Sequence, residues 1–172
     1  SSMLDETKNN FISSVFLAND QAGICFSDIS TGELYATRLE KPFEESIREE
    51  ISRYSPKEVL LNSEAAKLKG LLTFLKERIS ASVEVLEDDR YLPDIVTSKV
   101  LGQFHKENLD ELKLQDQPEI TAAVGALLSY LEETQRTGIE RISQPQIYSG
   151  SQYMKLDLNA RRNLELLETM RN

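Results

Sequence analysis

Residues with β-branched and aromatic side chains cluster in three short stretches near the start of the patterned region. The stretches cover residues 11–17, 22–29 and 33–39, and their length and composition are typical of β-strands. Ser30-Thr31-Gly32 separates the last two, and its glycine tolerates the positive φ that tight turns require. The pattern therefore predicts three strands, with a hairpin tip at residues 28–33.

A helical period then replaces the strand pattern. Apolar residues recur every three or four positions from Phe43 to Tyr54, which predicts an amphipathic helix. Pro42 stands where a first-turn proline is tolerated, and Pro56 ends the helix. Residues 58–62 form a short, continuous apolar run, which is typical of a strand buried on both faces.

A second helix and a fifth strand are predicted next. Asn62 or Ser63 can cap a helix that carries leucines at helical spacing as far as Ile79. Residues 83–86 have the composition of another strand. The order of elements up to this point is β-β-β-α-β-α-β, which predicts an α/β fold with a mixed sheet of about five strands and flanking helices. Ribonuclease-H-like folds have this order.

The remaining chain is predicted to be mainly helical. Asp94 is a candidate cap for a helix that runs to about Lys106. After a polar loop or short helix, a long helix is predicted from Pro118, because the longest run of apolar residues at helical spacing begins there. Gly138 is predicted to end this helix. The apolar face of the first of these helices consists of Val96, Val100 and Phe104.

A boundary is predicted where this helical pattern stops. Residues 144–150 contain Pro145 and Gly150 and show no helical period. Residues 158–170 are again amphipathic and predict a C-terminal helical segment. The sequence thus divides into a domain at residues 1–143 and a separate segment at residues 144–172.

Composition and charge exclude several classes of protein. The 172 residues carry a net charge of −9 and no long apolar run, so no membrane partner is expected. Basic residues are scattered along the chain, and residues 99–106 come closest to forming a basic cluster. The chain is therefore not expected to bind nucleic acid by itself, because duplex binding usually needs clustered Lys and Arg. A single cysteine, Cys25, suits a reducing, cytoplasmic setting.

The residue types needed for nucleotide, zinc or thiol chemistry are sparse. Cys25 and His105 are the only cysteine and histidine, which is too few for a usual zinc site. Cys25 lies in a strand pattern and is predicted to be a buried structural thiol rather than a nucleophile. No G-x-x-x-x-G-K-[ST] or G-x-G-x-x-G motif occurs, so neither ATP hydrolysis nor a bound cofactor is expected of this chain.

A nuclease remains an alternative because of the predicted fold. Nucleases of the ribonuclease-H-like class hold two metal ions with carboxylates from adjoining elements. The candidates are Asp20, Asp28 and Glu58, but the first strand carries no carboxylate. Asp20 and Asp28 also fit turn positions, where Asp commonly bonds backbone N–H groups. These carboxylates are therefore predicted to cap turns or face solvent.

Several segments resemble the MutS DNA mismatch-repair family. The stretch GALLSYL at residues 125–131 and the following ETQR at residues 133–136 look like the last long helix of that family's connector domain. YMKLD at residues 153–157 and RRNLEL at residues 161–166 look like the start of its lever domain. Asn9-Asn10-Phe11 and the hairpin tip are similar to the opening of the same connector.

The resemblance implies a non-catalytic role and a longer parent protein. In that family the connector has a ribonuclease-H-like fold without nuclease chemistry, relays between mismatch-binding and ATPase domains, and offers a docking surface to MutL. ATP, Mg²⁺ and mismatched DNA would be bound by other parts of the parent. Met3 is then not expected to be a native start, and the chain is expected to continue beyond Asn172.

Two groups of residues look functional but are predicted to have only a structural or surface role. The family reads mismatches with a Phe-x-Glu triplet, but Phe43-Glu44-Glu45 lies within the connector-like region. Its phenylalanine opens an amphipathic helix face and is predicted to pack in the core. The second triplet is predicted to be the solvated face of the long helix, and it comprises Glu132, Glu133 and Arg136.

The resemblance also implies a partner-binding helix. Residues 95–104 align loosely with the MutL-contacting helix of the family. Its outward residues would be Ser98, Lys99 and Gln103, although a plain solvated face is the alternative for each. Three hypotheses follow: an interaction and relay module that binds MutL and the other MutS domains, a metal-dependent nuclease or resolvase, and a soluble α/β domain with an unrelated partner.

Overall fold

The computed structural model describes residues 9–149. Its strands are β1 Ile12–Leu17, β2 Ala22–Asp28, β3 Glu33–Arg38, β4 Glu58–Leu61, β5 Ser82–Val85 and β6 Gln146–Ile147. Its α-helices are α1 Phe43–Tyr54, α2 Ser63–Ala66, α3 Leu71–Thr73, α4 Pro93–Phe104 and α5 Pro118–Thr134. A π-helical turn spans Phe74–Ile79, and 3₁₀ turns span Asp88–Tyr91, Leu109–Leu112 and Ile139–Arg141.

One mixed sheet organises this part of the chain. Its strand order is β5-β4-β1-β2-β3-β6. β1, β2 and β3 pair antiparallel, whereas β4, β5 and β6 each run parallel to their neighbour. The predicted α/β fold with three antiparallel strands followed by parallel crossovers is confirmed. Gly32 has the predicted positive φ, 82°, at the hairpin tip.

Hydrophobic layers cover both faces of the sheet. The helices α4 and α5 pack on one face with Cys25, Leu34 and Leu60. The helix α1 packs on the other face with Phe11 and Phe26. All seven residues of β2 are buried, because this central strand faces a helical layer on each side.

Two glycines set how closely α5 approaches its neighbours. A Cβ at Gly23 would lie 2.5 Å from the Glu119 carbonyl oxygen, and a Cβ at Gly125 would lie 2.5 Å from the Val96 Cβ. Only a residue without a side chain allows these approaches. The glycines therefore seat α5 directly against β2 and α4.

The predicted second helix is broken into shorter pieces. Asn62 caps α2 as predicted, since its side-chain oxygen accepts from the Ala65 N–H. Gly70 then adopts a φ of 81°, which an α-helix cannot contain. The leucine spacing correctly indicated a buried side but not the continuous helix to Ile79.

The predicted boundaries of the two later helices also need correction. α4 begins at Pro93 after Leu92, so Asp94 lies in the first turn and does not cap the helix. Proline is well suited to this first position because its missing N–H has no partner there anyway. α5 ends at Thr134, and Gly138, with a φ of 96°, instead precedes a 3₁₀ turn.

A sixth strand lies in the stretch predicted as a linker. β6 pairs with β3 through Tyr35–Gln146 and Ala36–Ile147, so the sheet has one strand more than the five predicted. Tyr148 follows it and is buried in the α1-side core. The predicted C-terminal helical segment at residues 158–170 lies outside the described residues. Among residues 9–149, no helix is both long and apolar enough to cross a membrane.

A candidate docking groove along helix α4

The inner face of α4 is fixed by packing, which determines what the helix shows to solvent. Val96, Val100 and Phe104 are buried as predicted. The opposite face carries Ile95, Ser98, Lys99 and Gly102, which follow one another at helical spacing. This outer face is exposed or half-buried, so another molecule can reach it without opening the core.

A shallow groove of about 660 Å³ runs along this face. Ser98, Lys99 and Gln103, the three predicted partner-binding residues, all line it. The rest of its wall comes from α4, from the end of α5 and from the 3₁₀ turn after it, and comprises Ile95, Gly102, His105, Glu132, Ile139 and Glu140. The structure thus brings the three predicted residues together in one concave surface, which we call the α4 groove.

Polar contacts hold two of the three residues in place. The Lys99 Nζ lies 2.6 Å from Glu132 Oε1, and Gln103 Nε2 donates to the Ile139 carbonyl oxygen at 3.0 Å. Ser98 is exposed. Lys99 and Gln103 therefore shape the α4 groove, while Ser98 presents an exposed hydroxyl group on its wall.

An exposed apolar side chain at the groove was not singled out from the sequence. Ile95 is 49% exposed and Leu92, just before α4, is 51% exposed. Only Ile95 of these two lines the α4 groove, and exposed aliphatic groups are a common feature of protein-binding surfaces. The signal was present, because Ile95 falls outside the apolar stripe of α4.

The carboxylates at the end of α5 pair with other elements. Glu132 pairs with Lys99 of α4, and Glu133 Oε1 lies 2.6 Å from the Arg90 Nη2. Arg136 lies beyond the end of α5 at Thr134, so it is not part of the solvated helix face that was predicted. Glu132 and Glu133 remain exposed, as predicted.

Asp28, one of the candidate nuclease carboxylates, is hydrogen-bonded to neighbouring parts of the chain. Its carboxylate accepts hydrogen bonds from the Asn10 and Ser30 backbone N–H groups and from the side chains of Asn9 and Ser30. Burial alone would raise the pKa of Asp28, but these hydrogen bonds outweigh it and hold the pKa below its ordinary value. The predicted turn-capping role is confirmed.

The other two carboxylates do not join Asp28 in a metal site. Glu58 accepts a hydrogen bond from the Tyr130 hydroxyl group, and the exposed Asp20 lies 3.4 Å from Lys41. Asp28 and Glu58 line one cavity of about 420 Å³, but Asp20 is not among its lining residues. Within residues 9–149, no three His, Cys, Asp or Glu side chains are grouped as metal ligands.

The thiol and the Phe-x-Glu triplet also match their predictions. Cys25 is completely buried in β2, where burial raises the pKa of its thiol, so the thiolate form needed for attack is disfavoured. His105 is exposed at the end of α4. Phe43 is half-buried and packs against the α1-side core.

These features define a class: an α/β domain of ribonuclease-H-like fold whose candidate carboxylates support its own structure. The crystal structure of the fowlpox virus Holliday junction resolvase has the same fold, with a TM-score of 0.51. It is 18% identical, and the match covers 72% of this chain and 99% of the resolvase. At this identity the likeness establishes the fold alone.

Proteins related in sequence identify the family, which the fold alone does not. The family MutS domain II matches residues 10–146. The DNA mismatch repair protein MutS of Caldanaerobacter subterraneus subsp. tengcongensis is 38% identical over 98% of this chain, and that of Ruminiclostridium cellulolyticum is 35% identical over 98%. The chain belongs to the MutS family and contains its connector domain, domain II. It spans about a fifth (19%) of the length of these relatives.

Proposed function

We propose that this chain is a non-catalytic connector of a MutS-type mismatch-repair protein and that its α4 groove docks MutL. The observation that carries the docking half is the convergence of Ser98, Lys99 and Gln103 on one groove beside the half-exposed Ile95. Binding of mismatched DNA and of ATP with Mg²⁺ is assigned to other parts of the parent protein. The net charge of −9 supports this division.

The chemistry of the α4 groove suits a protein partner. Ile95 offers an apolar anchor, and Lys99, Glu132 and Glu140 supply charges of both signs around it. Protein interfaces commonly combine a few apolar anchors with a polar rim that fixes orientation. Ser98 is the most informative position on this surface, because it is exposed and a change there disturbs neither the Lys99 nor the Gln103 contact.

The relay half of the proposal is supported by the contacts that fix the two ends of the described chain, near Asn9 and Tyr148, to the sheet region. Asn9 donates hydrogen bonds to the Asp28 and Glu33 carboxylates. At the other end, the Tyr148 hydroxyl group donates to the buried Glu50 at 2.6 Å, and its carbonyl oxygen accepts from Thr37. A displacement of the chain at Asn9 or Tyr148 would therefore be passed to the strands and helix that these residues contact.

Site-directed cross-linking tests the docking surface. Cys25 is fully buried, so Ser98→Cys introduces an accessible thiol for a thiol-linked photo-cross-linker. Ser52→Cys is the matched control, because Ser52 is exposed on α1, the helix that covers the opposite face of the sheet. MutL should be captured from position 98 and not from position 52. Equal capture from both positions, or capture from position 52 alone, would overturn the docking surface.

The described residues offer no comparable support for the nuclease alternative. Asp28 and Glu58 are hydrogen-bonded within the chain. The exposed Asp20 does not line the cavity that Asp28 and Glu58 share. The resolvase likeness concerns the fold. Incubation of the chain with four-way-junction DNA and Mg²⁺ or Mn²⁺ should leave the DNA intact; cleavage that Asp28→Asn abolishes would establish the nuclease instead.

A further inference from the structure

The α4 groove contains a glycine that the packing of the described chain does not require. Gly102 is exposed and lies within α4, two residues before the helix ends at Phe104. Its φ is not positive, and a Cβ at this position would meet nothing within 4 Å. Glycine is an unfavourable helix residue, second only to proline. Neither backbone conformation nor an internal close approach therefore accounts for Gly102, in contrast to Gly23 and Gly125.

The long side chains beside Gly102 are held against the far wall of the groove. The Lys99 Nζ lies 2.6 Å from Glu132 Oε1, and Gln103 Nε2 donates to the Ile139 carbonyl oxygen at 3.0 Å. The Lys99 side chain does not come within 4 Å of a Cβ built at Gly102. The helix backbone at Gly102 is therefore open to a molecule that enters the α4 groove.

Gly102 is also one corner of a regular depression on the helix surface. Residues at i, i+3, i+4 and i+7 surround a hole on a helix face, into which a side chain of a facing element can insert. Four residues that line the α4 groove have this spacing and form what we call the Gly102 hole: Ile95, Ser98, Lys99 and Gly102. Two of its corners are small, so an inserted group can approach the helix backbone.

We propose that MutL inserts one large apolar side chain into the Gly102 hole. This rests on the proposed docking of MutL at the α4 groove, and it adds the point of closest approach and the kind of side chain that makes it. Ile95, 49% exposed, supplies an apolar corner. The charge of Lys99 is paired with Glu132, so its methylene groups are available for packing. An apolar side chain gains most from such a surface, because contact removes apolar area from water.

Two substitutions of Gly102 test this contact by isothermal titration calorimetry with purified MutL. Gly102→Ala puts a methyl group in the hole and should weaken binding roughly three- to tenfold, whereas Gly102→Leu fills the hole and should weaken it by roughly tenfold or more. Gly102→Ala should also raise the urea midpoint of the chain, because alanine favours the helix. A variant that folds better and binds worse cannot owe its weaker binding to a damaged fold.

Two further variants control for size and test the apolar character of the contact. Ser52→Leu on the exposed side of α1 is the matched control and should bind MutL like the wild type. Ile95→Ala removes the apolar corner and should weaken binding by roughly tenfold. Wild-type affinity in Ile95→Ala would show that the inserted group is not apolar and would overturn the proposal.

The same measurements separate failure of this contact from failure of docking. Weak binding in Ser98→Arg with wild-type affinity in Gly102→Leu would leave docking at the α4 groove intact and overturn the insertion at Gly102. Absence of MutL binding by the wild type would overturn both. A lower urea midpoint in Gly102→Ala would show that the chain itself requires this glycine, which would also contradict the proposal.

Discussion

At the residue scale, the Asp28 carboxylate joins the hairpin tip to the segment before β1. One oxygen accepts from Ser30, at 3.0 Å from its backbone nitrogen, and the other accepts from the Asn10 backbone nitrogen at 2.9 Å. Asp28→Asn keeps the shape but removes the charge and one acceptor. We expect it to lower the free energy of unfolding at neutral pH by about 1–3 kcal/mol, measured by urea denaturation.

The pH dependence of this loss identifies its cause. Because the pKa of Asp28 is lowered in the folded state, its stabilisation is complete above the ordinary Asp pKa of about 3.9. It disappears as the pH falls through the lower, folded-state pKa, so the two proteins should converge in acid. Asp20→Asn is the control, because that side chain is 84% exposed and its loss should be small. A deficit of constant size down to acid pH would contradict this account.

A second residue-scale prediction concerns the buried tyrosine after β6. Tyr148→Phe removes the hydroxyl group that donates to the buried Glu50 at 2.6 Å and leaves that carboxylate with one partner fewer. We expect a loss of about 1–3 kcal/mol in the free energy of unfolding. Tyr91→Phe is the matched control, because its hydroxyl group has no partner among the described residues. Equal losses in the two variants would refute a specific role for the Tyr148–Glu50 contact.

At the scale of elements, the packing of α4 on α5 depends on one glycine. A Cβ at Gly125 would lie 2.5 Å from the Val96 Cβ and 2.8 Å from its Cα, so the helices would have to separate. Gly125→Ala should cost about 1–3 kcal/mol by overpacking, measured by thermal or urea unfolding. Gly102→Ala is the matched control in α4, because its Cβ would meet nothing within 4 Å.

The two glycine variants should change stability in opposite directions. Alanine in an open helical position removes conformational freedom from the unfolded chain, so Gly102→Ala should stabilise by about 0.5–1 kcal/mol. A neutral or stabilising Gly125→Ala would show that α4 and α5 are less tightly apposed than the structure indicates.

Elements with a strong local period were predictable from the sequence, and those fixed by distant contacts were not. α1 and the first three strands follow directly from residue spacing. β6 has only two residues, too few to show the alternating pattern of a strand. It forms because the edge of β3 supplies backbone hydrogen-bond partners. The break at Gly70 was equally hidden, since the leucines on either side of it continue the helical spacing.

At the scale of the whole molecule, the candidate site was predictable in part. The resemblance to MutS predicted Ser98, Lys99 and Gln103 as partner-binding residues, and all three line the α4 groove. Its far wall, formed by Glu132, Ile139 and Glu140, comes from elements distant in sequence. No local pattern places those residues beside α4, because their position follows from how α5 packs on the sheet.

The most direct test of the central claim is the affinity of this chain for purified MutL in two charge-matched variants. Ser98→Arg puts a long cationic side chain on the outer wall of the α4 groove, and Ser52→Arg makes the same change on α1. By isothermal titration calorimetry, Ser98→Arg should weaken binding by roughly tenfold or more, as expected for about 1.4 kcal/mol or more at an interface, while Ser52→Arg binds like the wild type. Wild-type affinity in Ser98→Arg, with both variants folded, would contradict docking at the α4 groove.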